Sequence, residues 1–325
     1  MMNLPFYKMG ASFLWHALTG RRTPLIVGWA ITNRCNASCS YCQWPEKQTE
    51  ELSTDRALDL VSQMAAAGTL HIVFSGGEPF LREDLPQILL ACKQHGMFVA
   101  VDTNGALLPD RATWLSNIDR IQISLDGPKA IHDGQRGAGA FEKVEGAVAV
   151  CHEMAVPIAI NTTLTKHNLG SIKWMLEYAA RHGAAVDFQP VHHVHADAAT
   201  VAPLIPATDE YRRAIDSLAL LKKQGAPISN SLSGLSHLRR FPDQASIRCS
   251  AGKFIVRMDP IGNLFSCNMM RGQKDLPNAD LLGFANAFMK MQPVSCKQCW
   301  CSATVEYNLI ASGNINAIRN RLSKP

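Results

Sequence analysis

Three thiols close together carry the first chemistry in this 325-residue chain: Cys35-Asn36-Ala37-Ser38-Cys39-Ser40-Tyr41-Cys42, spaced Cys-x3-Cys-x2-Cys. Thiolates are soft ligands, and three of them on a short loop directly after an apolar run (residues 25–31) make a site for iron or zinc. The odd number is informative. Structural zinc sites and ordinary ferredoxin clusters take four protein ligands. A 4Fe-4S cube held by only three thiolates keeps one iron open for a substrate or cofactor. A second set follows far downstream: Cys249 and Cys267, with Gly262 between them, then Cys296, Cys299 and Cys301. A Cys-x2-Cys element joined by two further cysteines signals a metal and suits zinc as well as iron–sulfur. Cys92 and Cys151 sit in apolar helical contexts and read as core residues.

Positioning these residues falls to an alternation of elements. Apolar runs at 25–31, 71–75, 97–102, 120–125, 157–163 and 185–191 read as strands, and helical patterns lie near 54–67, 83–95, 108–116, 140–154, 168–182 and 208–224. Ser53 or Thr54 can cap the first helix, and Gly68 and Gly96 fall where helix C-terminal glycines belong. Strands alternating with helices in this way require a parallel sheet with helical crossovers, either an open doubly wound sheet or a curved partial barrel. In both, polar chemistry collects at the C-terminal ends of strands. It does so here. Strand one runs into the cysteine loop, strand two ends in Ser75-Gly76-Gly77-Glu78-Pro79, and strand five carries Asn161, Thr162 and Thr163. Strands three and four end in Asp102-Thr103-Asn104-Gly105 and Ser124-Leu125-Asp126-Gly127; Asn-Gly and Asp-Gly are also common turn dipeptides. Beyond strand six lie His192, His193 and His195, readable as a second metal or acid–base group or as solvated bystanders. The glycine-rich loop 132–141 lacks the Gly-Lys-Ser/Thr ending of a phosphate-binding loop, which excludes nucleotide hydrolysis.

Cys-x3-Cys-x-aromatic-Cys with Tyr41 in the aromatic slot, followed one strand later by Gly76-Gly77-Glu78, resembles the signature of the radical S-adenosylmethionine (SAM) superfamily. The resemblance implies an α/β fold, a partial (β/α)6 TIM-like barrel. It implies a 4Fe-4S cluster on Cys35, Cys39 and Cys42 whose open iron chelates SAM, and reductive cleavage of SAM to a 5′-deoxyadenosyl radical that takes hydrogen from a substrate. By the same resemblance Gly76, Gly77 and Glu78 meet the SAM amino group, and Ser124 lies near the ribose. Arg136, in Asp133-Gly-Gln-Arg-Gly137, pairs with the SAM carboxylate, a bidentate task suited to a guanidinium. Asn161 meets SAM at the barrel mouth. Arg136 also reads as a surface salt-bridge partner.

After residue 226 the alternation stops, and a stretch with Pro227, Ser229, Ser231, Gly234 and Pro242 reads as a linker. Residues 254–267 have the shape of a hairpin turning at Pro260 and Gly262. Its Cys-x12-Gly-x4-Cys spacing resembles the opening of the SPASM/twitch extension of the same superfamily. With five cysteines in the region, fewer than a full SPASM module carries, the chain resembles the shorter twitch form. That implies one auxiliary 4Fe-4S cluster on Cys249, Cys267, Cys296 and Cys299, with Cys301 able to replace Cys299 and a structural zinc as the alternative occupant. The expected organisation is a helical extension over 1–23, the barrel over 24–226, and a linker with a small auxiliary-cluster domain over 227–325.

Net charge is +5, from 32 basic and 27 acidic residues, with no run of like charges, so nothing argues for nucleic acid. No apolar run approaches the roughly 18 residues of a membrane span, and the first residues lack the order of a signal peptide. The cysteines therefore read as reduced, cytoplasmic metal ligands. Phe6, Met9, Phe13, Leu14 and Leu18 recur near helical spacing beside Lys8, Arg21 and Arg22. They predict a helix packed on the barrel, or an amphipathic foot on a membrane or lipid. The expected function is a radical SAM oxidoreductase acting on a small-molecule, cofactor or natural-product precursor in biosynthesis. The auxiliary cluster would assist a net oxidation, and a flavodoxin- or ferredoxin-type donor would supply electrons. A peptide maturase forming crosslinks or thioethers is the alternative, although the 24 residues before the first strand are short for a peptide-recognition domain. A non-catalytic zinc protein is the third reading.

Overall fold

The computed structural model describes residue 19 and residues 21–44, 50–192, 196–243, 246–294, 296 and 298–322. The expected N-terminal helix up to residue 18, together with His193 and His195, lies outside them. Six strands, β1 (Ile26–Thr32), β2 (His71–Gly76), β3 (Phe98–Thr103), β4 (Arg120–Ser124), β5 (Ile158–Leu164) and β6 (Val186–Pro190), fall within one residue of the expected bounds. They pair in parallel and in sequence order, and the whole sheet runs β6-β5-β4-β3-β2-β1-β7-β8, with β7 (Ile255–Met258) and β8 (Leu264–Phe265).

That order decides between the two architectures the pattern allowed. A doubly wound sheet reverses direction at a switch point. Here every crossover between β1 and β6 steps the same way, so the connecting helices stack on one face and the sheet curls around the other. The helices in chain order are α1 (Thr54–Ala66), α2 (Leu85–Gln94), α3 (Lys129–Arg136), α4 (Ala140–Glu153), α5 (Ile172–Arg181), α6 (Ala198–Val201) and α7 (Thr208–Lys223). In the C-terminal part follow α8 (Leu232–Leu238), α9 (Ala279–Leu282), α10 (Phe284–Lys290), α11 (Ser302–Ala311) and α12 (Ile315–Leu322). Val27, Trp29, Ile31, Phe74, Val101 and Ile123 face outward into one buried core with Leu60, Met64 and Ile88 of α1 and α2. Strand alternation then turns Gly28, Ala30, Ser75, Asp102, Arg120, Gln122 and Asn161 to the inner face. The barrel is apolar outside and polar inside.

Local chemistry explains the helices. Ser53 caps α1, its hydroxyl accepting from the Arg56 N–H at 3.4 Å, and Ala57, Leu60, Val61 and Met64 form the buried stripe. The segment expected as a glycine-rich loop at 132–141 differs: His132 to Arg136 belong to α3, which stops at Gly137 with φ of +105°. Of the glycines that suggested a loop, Gly134 lies inside α3, Gly137 is its stop and Gly139 is in the short turn before α4.

The C-terminal part, expected as a linker and a small auxiliary-cluster domain, meets the barrel through its hairpin. The hairpin forms, and β7 pairs in parallel with β1 from Ile26↔Ile255 to Trp29↔Met258, extending the barrel's own sheet. The expected linker contains α8, capped by Ser231, whose hydroxyl accepts from Gly234 N–H at 2.8 Å. Leu232, Leu235 and Leu238 recur at three-residue spacing, a signal masked by the intervening serines and glycine. Asn230 closes the β6 edge: its Oδ1 accepts from Phe188 N–H and its Nδ2 donates to Phe188 C=O, both at 2.9 Å. Arg22, read with a segment either packed on the barrel or forming an amphipathic foot, donates to the carbonyls of Gly252, Phe288 and Met291 and stacks on Phe288, holding the C-terminal end of α10. Among the described residues, no helix is long and apolar enough to cross a membrane.

Candidate active site

The cysteine loop leaves the end of β1 and is braced at both ends. At the near end β2 presses against it. Gly77 N–H donates to Thr32 C=O at 2.9 Å and Glu78 N–H to Arg34 C=O at 2.8 Å. A Cβ on Gly77 would lie 2.0 Å from the Arg34 carbonyl oxygen, and one on Gly76, at φ of +132°, would lie 2.2 Å from that of Thr32. The glycine pair therefore admits the backbone of the cysteine loop itself, a close approach that the sequence suggested for a ligand. Gly77→Ala is expected to force this joint apart, costing about 1–3 kcal/mol and loosening iron retention. Urea unfolding and iron content of the variant check this.

At the far end the loop is held by a buried hub. Asp126, fully buried after β4, accepts from Tyr41 O–H and from Arg136 Nε–H, both at 2.6 Å on Oδ2, and from Thr163 N–H at 3.0 Å on Oδ1. Arg136 Nη1 lies 3.9 Å from Cys39 Sγ, and Ser40 N–H donates to Gln135 C=O at 2.8 Å. Asn168 locks the underside, its Nδ2 donating to the carbonyls of Asp126 and Thr163. Burial pushes the Asp126 carboxyl up, but the Arg136 charge and the hydrogen bonds from Arg136 and Tyr41 outweigh it and hold it below the usual range. His132, accepting from Asp126 N–H on Nδ1, is driven down to about 4 by burial and then by Arg136, so it stays neutral. Sequence reasoning assigned no role to Asp126 or Asn168; the Asp126-Gly127 dipeptide had read as a turn.

The donor set fits an iron–sulfur cluster. All ten cysteines are free thiols. Burial pushes Cys35 up to about 11 and also raises Cys39 and Cys42, while N–H groups and cations oppose it. Those opposing groups are the Ala37 backbone at Cys35, Arg136 at Cys39, and the Trp44 N–H, 3.4 Å from Cys42 Sγ. Such donors favour thiolates, and a bound metal would complete the deprotonation. Arg271 reaches in from the C-terminal part, 3.3 Å from the Trp44 ring centroid and donating to Asn33 Oδ1 at 2.7 Å. The mouth also offers unsatisfied polar atoms. Asn161 Oδ1, in register with Ser124, and Gln135 Nε2 are buried with no hydrogen-bond partner among the described residues. These suit a polar cofactor. Beside the loop a cavity of about 200 Å³ is lined by Asn36, Ser38, Asn104, His132, Arg136 and Lys143.

Glu78 is fully buried, accepting from Thr103 Oγ1 and Asn104 N–H at 2.8 Å and joining β2 to β3. Burial raises its carboxyl to about 7 against these hydrogen bonds. A carboxyl raised on folding contributes stability that is complete below the unfolded value near 4.5 and is lost as pH rises through about 7. Buried His132 works in the opposite sense, so the test is a difference. Parent and Glu78→Gln unfolding free energies are expected to diverge by about 3 kcal/mol between pH 4.5 and pH 7.5, the parent losing more with rising pH.

The second cysteine set gathers where β8 meets α11. Cys299 is half-buried and feels Cys301, Cys267 and Cys249, while Cys249 faces Cys296, so all five expected residues share one neighbourhood. Trp300 wedges the segment against His237 and Phe241, and His237 Nε2 lies 2.9 Å from Cys299 C=O. Cys301 opens α11 and accepts from Thr304 Oγ1 at 3.4 Å. Among the described residues, no three Cys, His, Asp or Glu side chains converge on a point that one ion could occupy.

These features define a parallel partial barrel with a thiol-rich loop at its C-terminal mouth. Residues 29–179 match the model of the radical SAM superfamily, and the chain carries a radical SAM domain there. The AdoMet-dependent heme synthase of Nitratidesulfovibrio vulgaris is 33% identical over 173 residues, covering 51% of this chain and 47% of the synthase. Mycofactocin maturase MftC of Mycobacterium tuberculosis is 27% identical over 259 residues, 76% of this chain and 65% of the maturase. The chain thus spans less than two thirds of either relative. Streptococcus suis SuiB bound to S-adenosylmethionine has the same fold, with a TM-score of 0.66 over 82% of this chain and 66% of SuiB at 15% identity. So does anSMEcpe with bound AdoMet and the Kp18Cys peptide, with a TM-score of 0.65 over 81% and 79% at 18% identity.

Proposed function

We propose that the chain is a radical SAM enzyme that abstracts hydrogen from a small-molecule, cofactor or natural-product precursor in a net oxidation. The observation that carries this reading is the double bracing of the Cys35/Cys39/Cys42 loop at the barrel mouth, with half-buried thiols held among N–H donors and a buried arginine. Cys35, Cys39 and Cys42 would hold a 4Fe-4S cluster, which would supply the electron for reductive cleavage of SAM to methionine and a 5′-deoxyadenosyl radical.

The chain's own residues do the rest. Gly76, Gly77 and Glu78 set the height of the loop over the sheet. Tyr41 and Asp126 fix its far end. Arg136, its Nε held by Asp126, offers its remaining N–H groups to Cys39 and to the SAM carboxylate, and its charge offsets that of the thiolates. Ser124 and Asn161 present polar atoms to SAM from the inner face of β4 and β5. The curled sheet keeps water from a reactive radical. Cys249, Cys267, Cys296 and Cys299, with Cys301 as alternate, would hold one auxiliary 4Fe-4S cluster, which would supply an electron acceptor for a net oxidation. A flavodoxin- or ferredoxin-type donor supplies reducing equivalents, and reduced thiols suit a cytoplasmic setting. A second reading, action on a peptide, is favoured by one observation: similarity to the mycofactocin maturase extends over 76% of this chain, against 51% for the heme synthase.

The test is anaerobic reconstitution with iron and sulfide, then SAM and dithionite, with 5′-deoxyadenosine measured by chromatography. Steady formation of 5′-deoxyadenosine is expected. Iron-loaded protein that binds no SAM and forms none would sink the proposal.

A further inference from the structure

The inner face of the barrel carries charge that the site at its mouth does not use. Arg257 on β7 pairs in register with Gly28 on β1. Its guanidinium lies across that glycine so closely that a Cβ there would meet Arg257 Nη1 at 2.1 Å. Gly28 in turn pairs with Val73 of β2, Val73 with Ala100 of β3, and Ala100 with Arg120 of β4. Two arginines therefore stand at the ends of one row, with small or apolar residues between them. Two positions beyond Ala100 on the same face, Asp102 pairs with Gln122.

Asp102 feels both guanidiniums and, more weakly, Asp187, yet no ion pair or hydrogen bond joins the side chain of Asp102 or of Arg257 to another described residue. Arg120 Nε is likewise buried without a hydrogen bond among the described residues. The charges stand too far apart to satisfy each other and near enough to act on one molecule. Below them the barrel is closed by Ile26 and Ile255, with Tyr307 of α11 packed alongside. Above them open Ser124, Asn161 and the cysteine loop. Unpaired charge in a half-buried interior is costly unless a ligand completes it.

We propose that the barrel interior binds a carboxylate-bearing substrate, with Arg257, laid across Gly28, pairing with the carboxylate and Asp102 accepting from an N–H or O–H of the same molecule. This rests on the reading that the barrel mouth generates the radical, and names the chemical class presented to it. A guanidinium grips a carboxylate through two parallel hydrogen bonds. Gly28 is the position that leaves room for it. Arg257 also acts electrostatically on Cys267, so the bound molecule would lie between the two cysteine sets.

The test is equilibrium dialysis of the anaerobically reconstituted protein, with SAM present, against labelled L-lactate, L-malate, L-glutamate and L-tyrosine, each beside its carboxamide. At least one acid is expected to bind where its amide does not. Arg257→Gln and Gly28→Ala, the latter displacing the guanidinium by one methyl group, should each weaken that binding at least about tenfold. Arg257→Gln should keep the parent's SAM affinity, which separates loss of this site from misfolding. Absence of binding by every acid, or equal binding by parent and Arg257→Gln, overturns the assignment. Failure of the radical SAM reading would show separately, as a parent protein that neither binds SAM nor forms 5′-deoxyadenosine.

Discussion

Replacing Cys35, Cys39 and Cys42 together by alanine is expected to abolish 5′-deoxyadenosine formation and to lower iron from about eight to about four atoms per chain, the stoichiometry of two 4Fe-4S sites. The loop is otherwise built to survive the change. Its near end is held by backbone hydrogen bonds to Gly77 and Glu78, and its far end by Tyr41 and Ser40, none of which involves a thiol. The variant should therefore fold, retain the auxiliary cysteines' metal and lose only the reactive site. Iron and sulfide analysis beside the activity assay reads both effects. A variant that keeps all its iron, or still forms 5′-deoxyadenosine, would remove these cysteines from the chemistry. Zinc in the parent with no iron after reconstitution would remove the enzyme reading altogether.

Asp126→Ala should be the most destabilising single change at the site, about 3–5 kcal/mol, because it leaves the Arg136 charge buried and unpaired. The side chains of Asp126 and Arg136 are 0% and 9% exposed, so little solvent is available to screen the loss. Tyr41→Phe removes one hydrogen bond to the same carboxylate and should cost about 1–3 kcal/mol. Because Tyr41 lies between Cys39 and Cys42, both changes should also reduce iron retention. Urea unfolding of reconstituted parent and variants measures the first effect, and iron content after gel filtration the second. An Asp126→Ala protein within about 1 kcal/mol of the parent would show that the hub is a consequence of the loop's position and not its cause.

Much of this was legible in the chain because it is encoded locally. Strand runs reveal themselves by apolar blocks, helices by their repeat and caps, and the cysteine loop by spacing alone. The Gly76-Gly77-Glu78 segment was legible as a site, but not what it approaches: the atoms that exclude a Cβ there belong to Thr32 and Arg34, more than forty residues earlier. Asp126 looked like a turn residue because nothing near it in sequence announces Tyr41, which is brought to it only when β1 and β4 enter one curved sheet. The helix in the expected linker was hidden for a different reason. Seven residues with two serines and a glycine offer weak propensity, and α8 forms because Leu235 and Leu238 find a core to enter.

The sequence by itself determined the parallel α/β alternation, the three-thiol loop on the first strand and the five-cysteine group near the end, since each depends on residue types and short spacings. The tertiary structure decided the rest. Monotonic strand order made the sheet a partial barrel, and pairing of β7 with β1 made the C-terminal hairpin part of it. Closure of the hub around Asp126 and the laying of Arg257 across Gly28 followed from register between strands distant in sequence. Register is set by which faces bury together and not by any neighbour along the chain, so no local pattern could have shown it.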